Sequence, residues 1–150
     1  MEIERKFIVK ELPSLVMSCK SAQLEQSYIS ITPEIRIRKE DDSFYLTHKG
    51  EGTLCREEDE KSITSAEYYS LLDKTVTYPV IKTRYFVPLQ GGYCAEVDIY
   101  HGSHDGLITV EVEFSSIEES EKFDPPFWFD KEITEDRKYK NKSLAKPKFC

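Results

Sequence analysis

The stretch MEIERKF (residues 1–7) alternates its charges in a pattern that decides the fold. In an extended strand successive side chains point to opposite faces, so Glu2, Glu4 and Lys6 share one face. At a rise of about 3.3 Å per residue, the two carboxylates lie roughly 6.5 to 7 Å apart. Like charges at this spacing disfavour each other unless a positive charge lies between them. The pattern therefore predicts a β-strand with a cation beside its acidic face.

The same alternation recurs on later segments spread over the chain. Four segments carry two charges of one sign at positions i and i+2: Arg36 and Arg38 in EIRIRK, Lys82 and Arg84 in KTRYFV, Glu96 and Asp98 in CAEVDIY, and Glu111 and Glu113 in VEVEF. Lys49 shares a face with Tyr45 and Thr47 in FYLTHKG. In REEDEKSI both faces are polar, so parity leaves open whether Glu58 and Glu60 belong to the set.

Two architectures explain a charged face of this kind. For any single strand, an antiparallel sheet with one face in water is the ordinary explanation. However, a solubilising surface intersperses both signs, whereas each strand here carries a doublet of one sign. Strands far apart in the chain also share the pattern, which favours a common enclosed space, and a closed antiparallel barrel provides one. The sequence therefore predicts an α+β fold, mainly antiparallel β: an eight-stranded closed tunnel barrel with a charged, wet interior and short helices packed outside.

The elements follow from the same patterns and from turn and capping residues. Strands are predicted at 2–9, 24–31, 34–40, 43–49, 55–63, 80–88, 93–100 and 107–115. Thr64 and Ser116 begin capping-box sequences and predict two helices. Thr134 is predicted to cap a third short helix over 135–138, and residues 10–23 are predicted as a loop or a frayed helix.

Composition excludes several classes of partner. A net charge of −7 over 150 residues argues against general binding to nucleic acid or anionic membranes. No apolar run reaches the roughly 18 residues of a membrane span, and no secretory signal pattern is apparent. We therefore expect one domain over residues 1–150 and a cytoplasmic location. In the cytosol Cys19, Cys55, Cys94 and Cys150 are expected to be reduced thiols, since none forms a C-x-x-C pair.

The predicted interior combines carboxylates with six cations: Lys6, Arg36, Arg38, Lys49, Lys82 and Arg84. Carboxylate clusters bind hard divalent cations such as Mg²⁺ or Mn²⁺. Guanidinium and ammonium groups that face each other favour a polyanion with several phosphoryl oxygens. The charge pattern therefore predicts a site for a metal-bound polyphosphate, with a metal ion between Glu2 and Glu4.

The ordered motifs also resemble a known family. Residues 2–6 match the E-x-E-x-K signature of the CYTH superfamily, also called triphosphate tunnel metalloenzymes. The motifs that follow are EIRIRK, LTHKG, CREEDE, KTRY, EVDIY, VEVEF, PPFWF and TEDRKYKNK, so the resemblance to the short bacterial members spans nearly the whole chain. The fold of this family is an eight-stranded antiparallel tunnel, in agreement with the parity argument.

The resemblance implies roles for individual residues. Glu2, Glu4 and Glu113 resemble ligands of a divalent metal, and Glu111 and Asp98 are implied at a second metal or the attacking water. Phosphate binding is implied for all six cations named above, with Lys6 also among the catalytic residues. An acidic lining is implied for Glu58 or Glu60, beside Glu96. Tyr28 resembles a tunnel tyrosine and is a candidate for proton transfer, with a packing role as the open alternative.

Several functions remain open at this stage because one fold supports different reactions. The leading hypothesis is metal-dependent hydrolysis of inorganic triphosphate. The alternatives are an adenylate cyclase that converts ATP to cyclic AMP, a nucleoside or thiamine triphosphatase, and a non-catalytic polyphosphate-binding module. In each case we expect a small-molecule polyphosphate as the partner and a monomer or homodimer as the assembly.

Overall fold

The structure, a computed structural model that describes residues 1–148, is built on one antiparallel sheet. Its strands within those residues are β1 (Glu2–Ile8), β2 (Lys20–Ser30), β3 (Glu34–Glu40), β4 (Ser43–Lys49), β5 (Cys55–Arg56), β6 (Glu58–Ser62), β7 (Val80–Pro88), β8 (Cys94–Tyr100) and β9 (Ile108–Phe114). Their spatial order is β5-β1-β9-β8-β7-β2-β3-β4-β6. Cys150 lies outside the described residues, whereas Cys19, Cys55 and Cys94 are free thiols.

The two edge strands of the sheet are consecutive in sequence, and this closes the barrel. β5 pairs with β1 through Arg56 and Glu2, and β6 pairs with β4 through Glu58 and Lys49. Between β5 and β6 lies Glu57 alone. The segment predicted as one strand over 55–63 is therefore broken at that residue and bridges both edges. This break accounts for the difference between the eight predicted strands and the nine observed.

The register brings the charged doublets opposite one another. Glu4 pairs with Glu113 and Lys6 with Glu111 across β1 and β9, and Arg84 pairs with Asp98 across β7 and β8. Because directly paired residues share a face of the sheet, the charged positions form one inner surface. The predicted barrel with a charged interior is confirmed.

The main hydrophobic core lies outside the barrel. The residues that alternate with the charged positions are buried there and include Ile3, Phe7, Val97, Val110, Val112 and Phe114. Val16 and Phe129 cover them from outside, the former in a 3-10 helix over Ser14–Ser18. Arg5, on the same outer face, forms a charge-assisted hydrogen bond of 2.7 Å with Glu132. Because the hydrophobic core packs on the outer face of the barrel, the interior can hold charged side chains.

Two helices begin where the capping sequences predict them. The helices of the described chain are α1 (Ser65–Leu72), α2 (Ile117–Lys122) and α3 (Asn141–Leu144). The side chain of Thr64 accepts a hydrogen bond from the Glu67 backbone N–H, and the Glu67 carboxylate accepts one from the Thr64 backbone. Ser116 caps α2 through its side chain alone, which accepts a hydrogen bond from the Glu119 backbone N–H. None of the helices within residues 1–148 has the length and apolar character that crossing a membrane requires.

Two predicted boundaries are wrong. Residues 20–23 belong to β2 because they pair with residues 83–86 of β7, which extends the strand into the predicted loop. Thr134 caps no helix, since its hydroxyl accepts a hydrogen bond of 3.0 Å from the Lys6 backbone N–H. A 3-10 helix instead covers Arg137–Tyr139 and is capped by Asp136. In both places pairing with a distant strand overrides the local pattern.

Residues 134–145, here called the C-terminal segment, cross one end of the barrel. Lys6 Nζ donates a hydrogen bond of 2.9 Å to the Tyr139 carbonyl, and Tyr100 OH donates one of 2.9 Å to Asn141 Oδ1. Ala145 is buried in a small cluster with Tyr100. The C-terminal segment therefore contributes side chains to the interior at that end.

Candidate active site

The barrel encloses a cavity of about 260 Å³ lined mainly by charged side chains. Its carboxylates are Glu2, Glu4, Glu34, Glu58, Glu60, Glu96, Glu111, Glu113 and Asp136, and its cations are Lys6, Arg36, Arg38, Lys49, Arg56, Arg84 and Lys140. The volume is many times that required by one water, so these groups are hydrated or face a polar ligand. All the predicted tunnel residues line this cavity except Lys82 and Asp98.

Lysines of the cavity pair with carboxylates of other strands. Lys49 Nζ donates a hydrogen bond of 3.1 Å to Glu2 Oε1, and Lys6 Nζ lies 3.5 Å from Glu111 Oε1. Burial alone lowers the pKa of Lys6, but the nearby Tyr100 hydroxyl and the charges of Glu111 and Asp98 raise it above its ordinary value. Lys6 therefore keeps its positive charge and is available to a phosphoryl oxygen.

The two arginines of β3 form the positive wall of the cavity. Arg38 Nη2 lies 3.3 Å and Arg36 Nη2 lies 3.8 Å from the same Glu60 oxygen. The Nε atoms of both arginines are sealed from solvent and have no hydrogen-bond partner among residues 1–148. Burial and the charges of Arg36 and Arg84 lower the pKa of Arg38. These cations repel one another, and a polyanion would relieve that repulsion.

The carboxylates beside β1 are crowded. Burial, with the charges of Glu111 and Glu2, raises the pKa of Glu4 well above its ordinary value. Burial and a hydrogen bond with Glu2 raise the pKa of Glu58 to about 7. Burial by itself also raises the pKa of Glu111, but Lys6 and Arg84 outweigh it and hold that pKa at about 2. Glu111 is therefore ionised, while Glu4 and Glu58 need either a proton or a cation.

Lys82 and Asp98 lie beneath the cavity wall. Asp98 is 1% exposed and Lys82 is 0% exposed. One Asp98 oxygen accepts from Arg84 Nε at 2.8 Å, and the other lies 3.0 Å from Arg84 Nη2 and 2.8 Å from Lys82 Nζ. Burial lowers the pKa of Lys82 to about 8, against the opposing charge of Asp98. This position favours a role for Asp98 in holding the two cations over direct contact with metal or water.

Similarity to known proteins assigns this chain to a family. No family model matches the sequence. The chain is 40% identical over 148 residues to an inorganic triphosphatase of Nitrosomonas europaea, covering 96% of each protein. It is 35% identical over 149 residues to an inorganic triphosphatase of Acetivibrio thermocellus, covering 97% of this chain and 93% of that protein. This chain belongs to the CYTH superfamily.

Solved structures agree with this assignment. The crystal structure of an inorganic triphosphatase matches with a TM-score of 0.72 and 37% identity, over 97% of this chain and 94% of that chain. At 15% identity, a putative adenylyl cyclase from Hippeastrum shares the CYTH fold, with a TM-score of 0.60 over 81% of this chain and 83% of that one.

The carboxylates of the cavity fit a hard divalent cation in their chemistry. Triphosphatases of the CYTH superfamily are generally metal-dependent. Glu2, Glu4 and Glu113 line the cavity and supply the carboxylate oxygens that such ions prefer, and a positive charge would relieve the repulsion that Glu111 and Glu2 exert on Glu4. Among residues 1–148, no three His, Cys, Asp or Glu side chains already converge as a preformed metal site.

Tyr28 is a buried tyrosine of β2. It lines the cavity wall and is 1% exposed. Burial raises its pKa above the ordinary value, and the nearby charge of Arg36 does not reverse this. A neutral phenol donates a hydrogen bond readily and accepts a proton poorly, so this environment favours Tyr28 as a donor. Its predicted part in proton transfer stays a prediction.

Several lining residues were not predicted. Glu34 shares parity with Arg36 and could have been found from EIRIRK, while Arg56 shares parity with Glu58. The remaining ones come from two segments without periodic patterning: Thr53, Ile133, Thr134, Asp136, Tyr139, Lys140 and Asn141. Those of residues 134–145 reach the cavity because the C-terminal segment docks across the barrel end, which no local pattern signals.

Proposed function

We propose that this chain is a divalent-metal-dependent triphosphatase that hydrolyses inorganic triphosphate inside the barrel. The observation that carries the proposal is the interleaving of carboxylates and cations around one cavity. Cations alone would suffice for binding a polyanion, and carboxylates without a metal would weaken it. The names of the two curated relatives support the choice of inorganic triphosphate as substrate.

The basic side chains bind and orient the substrate in this proposal. Arg36 and Arg38 lie side by side on β3, and each can present a guanidinium fork to phosphoryl oxygens. Lys6, Lys49 and Arg84 approach from β1, β4 and β7, so the substrate is held from several sides. Holding the phosphates in one geometry removes much of the entropic cost of reaction.

The acidic side chains would hold the metal and orient water. We assign Glu2, Glu4 and Glu113 to a Mg²⁺ or Mn²⁺ ion, which when bound neutralises charge on the phosphoryl oxygens. Glu111 is ionised and can accept a hydrogen bond from the attacking water. Water attacks the terminal phosphorus, the bond to the bridging oxygen breaks, and the products are phosphate and pyrophosphate. The proton that water releases passes to the carboxylates or to solvent.

The cyclase alternative has less support in the cavity. A cyclase must seat the adenine of ATP, which aromatic or amide side chains would do by stacking and hydrogen bonding. The aromatic residues that line the cavity are Tyr28 and Tyr139, and Tyr28 is almost fully buried. Cyclase activity would be seen as formation of cyclic AMP from ATP.

The test is phosphate release from triphosphate, ATP and thiamine triphosphate, each with and without Mg²⁺ or Mn²⁺. The proposal predicts the largest kcat/KM for triphosphate, and no turnover when chelator replaces the metal. Arg38→Ala should raise the KM for triphosphate by about tenfold or more, because a charge-assisted contact is lost. Equal turnover of ATP, formation of cyclic AMP, or binding without hydrolysis would each contradict the proposal.

A cytoplasmic location and a monomeric or homodimeric state belong to the same proposal. Sedimentation of the purified chain measures the second directly.

A further inference from the structure

We propose that Asn141 is a substrate-binding residue whose side-chain N–H groups donate to a terminal phosphoryl oxygen of the triphosphate. The proposal rests on the function proposed above and assigns a role to a neutral side chain in a cavity otherwise dominated by charge. Asn141 is the first residue of α3 and lines the cavity.

The orientation of the Asn141 amide is set by its neighbours. Lys82 Nζ lies 3.3 Å and Tyr100 OH lies 2.9 Å from Asn141 Oδ1. A lysine ammonium has only donors, so the amide atom that it contacts must be the carbonyl oxygen. With Oδ1 held by these two donors, Nδ2 points away from them.

The Nδ2 atom is left for a ligand. The structure records no protein acceptor for it within residues 1–148, where the hydrogen bonds of Asn141 side-chain atoms go to Oδ1. Nor is it one of the sealed side-chain atoms that lack a partner, so solvent in the cavity reaches it. Its two donor hydrogens therefore remain available on a residue of the cavity wall, where the proposed function places an acceptor-rich ligand.

The surroundings of Asn141 indicate which part of the substrate it contacts. Lys6 donates to the carbonyl of Tyr139, two residues before Asn141, so a phosphate-binding lysine lies at the same end of the cavity. The C-terminal segment crosses this end of the cavity, so a linear polyphosphate that extends to it presents a terminal phosphoryl group there. A terminal phosphoryl group carries more charge and more free oxygens than a bridging position, and a neutral amide can donate to it without adding to the repulsion among the cations.

Asn141→Asp tests the role because it separates binding from structure. The variant keeps an oxygen for Lys82 and Tyr100, but it replaces the two N–H donors with a second oxygen that carries negative charge. We expect its KM for triphosphate to rise by about tenfold or more while kcat changes little, which is the signature of lost uniform binding. Its Tm without ligand should equal or exceed that of the unchanged protein, because the contact with Lys82 becomes an ion pair.

Two further variants serve as controls. Asn141→Ala loses the acceptor as well as the donors, so it should raise KM several-fold and also lower Tm. Ser143→Ala changes an exposed position of the same helix and should leave both quantities unchanged.

Triphosphate-induced shifts in Tm give a second measure of binding that does not require turnover. If the unchanged protein binds but does not hydrolyse triphosphate, the proposed function fails, and the shift for Asn141→Asp still decides the role of Asn141. A shift and a KM in Asn141→Asp equal to those of the unchanged protein would overturn the inference and leave Asn141 as a structural link between α3 and the barrel.

Discussion

Asp98→Asn removes a carboxylate that two buried cations share, and its effect on stability can be worked out from the structure. Lys82 and Arg84 both lie within 2.8 Å of Asp98 oxygens, and Lys82 has no solvent exposure. Removing one partner of a buried ion pair costs about 3 to 5 kcal/mol, because the remaining charge is left without compensation. For a domain of this size each kcal/mol lowers Tm by roughly 2 to 4 °C, so we expect a loss of about 6 to 20 °C.

The assay is thermal unfolding followed by circular dichroism in metal-free buffer at neutral pH. Glu113→Gln is the matched control, since Glu113 is mostly exposed. Its partial burial and the charge of Glu2 raise its pKa. Its Tm should change by no more than about 2 °C. The double variant Asp98→Asn with Lys82→Met removes the stranded cation as well and should recover part of the lost Tm. A Tm for Asp98→Asn within about 2 °C of the unchanged protein would refute the assignment of Asp98 to a structural ion pair.

Three other predictions concern the cavity. Glu4→Gln should abolish metal-dependent turnover while leaving Tm unchanged or raised, because a crowded carboxylate is removed; measurable turnover by phosphate release would contradict its assignment to the metal. Gln26→Leu should raise Tm by about 2 to 12 °C, since both amide atoms of Gln26 are buried without a partner among residues 1–148 and leaving such an amide unpaired costs about 1 to 3 kcal/mol. A lower Tm in calorimetry would show that water satisfies the amide. The pKa of Lys140 is lowered to about 8 by burial and by the charges of Arg56, Lys142 and Arg137, and the charge of Glu34 opposes them. Lys140 therefore loses its positive charge between pH 7 and 9. The ratio of KM for the unchanged protein to KM for Lys140→Arg should rise over that range, and a constant ratio would exclude Lys140 from binding.

The alternation of charged and apolar residues predicted which side chains line the barrel interior, because successive side chains of a strand must point to opposite faces. With Glu2, Glu4 and Lys6 on one face, Ile3 and Phe7 must lie on the other, and the structure buries both of them. The alternation does not say how deeply each side chain on a face is buried. Asp98 and Glu96 lie on the same face of β8, yet Glu96 lines the cavity and Asp98 lies beneath its wall.

The C-terminal segment shows where sequence reasoning fails. Its cavity residues have no periodic pattern, and their positions depend on docking to strands more than a hundred residues away, as between Lys6 and Tyr139. The break at Glu57 is similar, since it reflects the need of one segment to pair with both β1 and β4. In each case tertiary contacts decide a local conformation for which the sequence holds no local signal.

The measurement that tests the central claim most directly is the order of thermal stabilisation by phosphate ligands at about 0.15 M salt. A ligand that binds only the folded state stabilises it by about 2.7 kcal/mol at roughly a hundredfold excess over Kd, which is a shift of about 6 to 10 °C here. If the charged side chains share one confined cavity for a metal-bound triphosphate, triphosphate with Mg²⁺ or Mn²⁺ should give the largest shift, followed by pyrophosphate and then phosphate. ATP should stabilise less than triphosphate. Charges on an open, solvated face would be screened at this ionic strength, so small shifts without any order among the ligands would contradict the account.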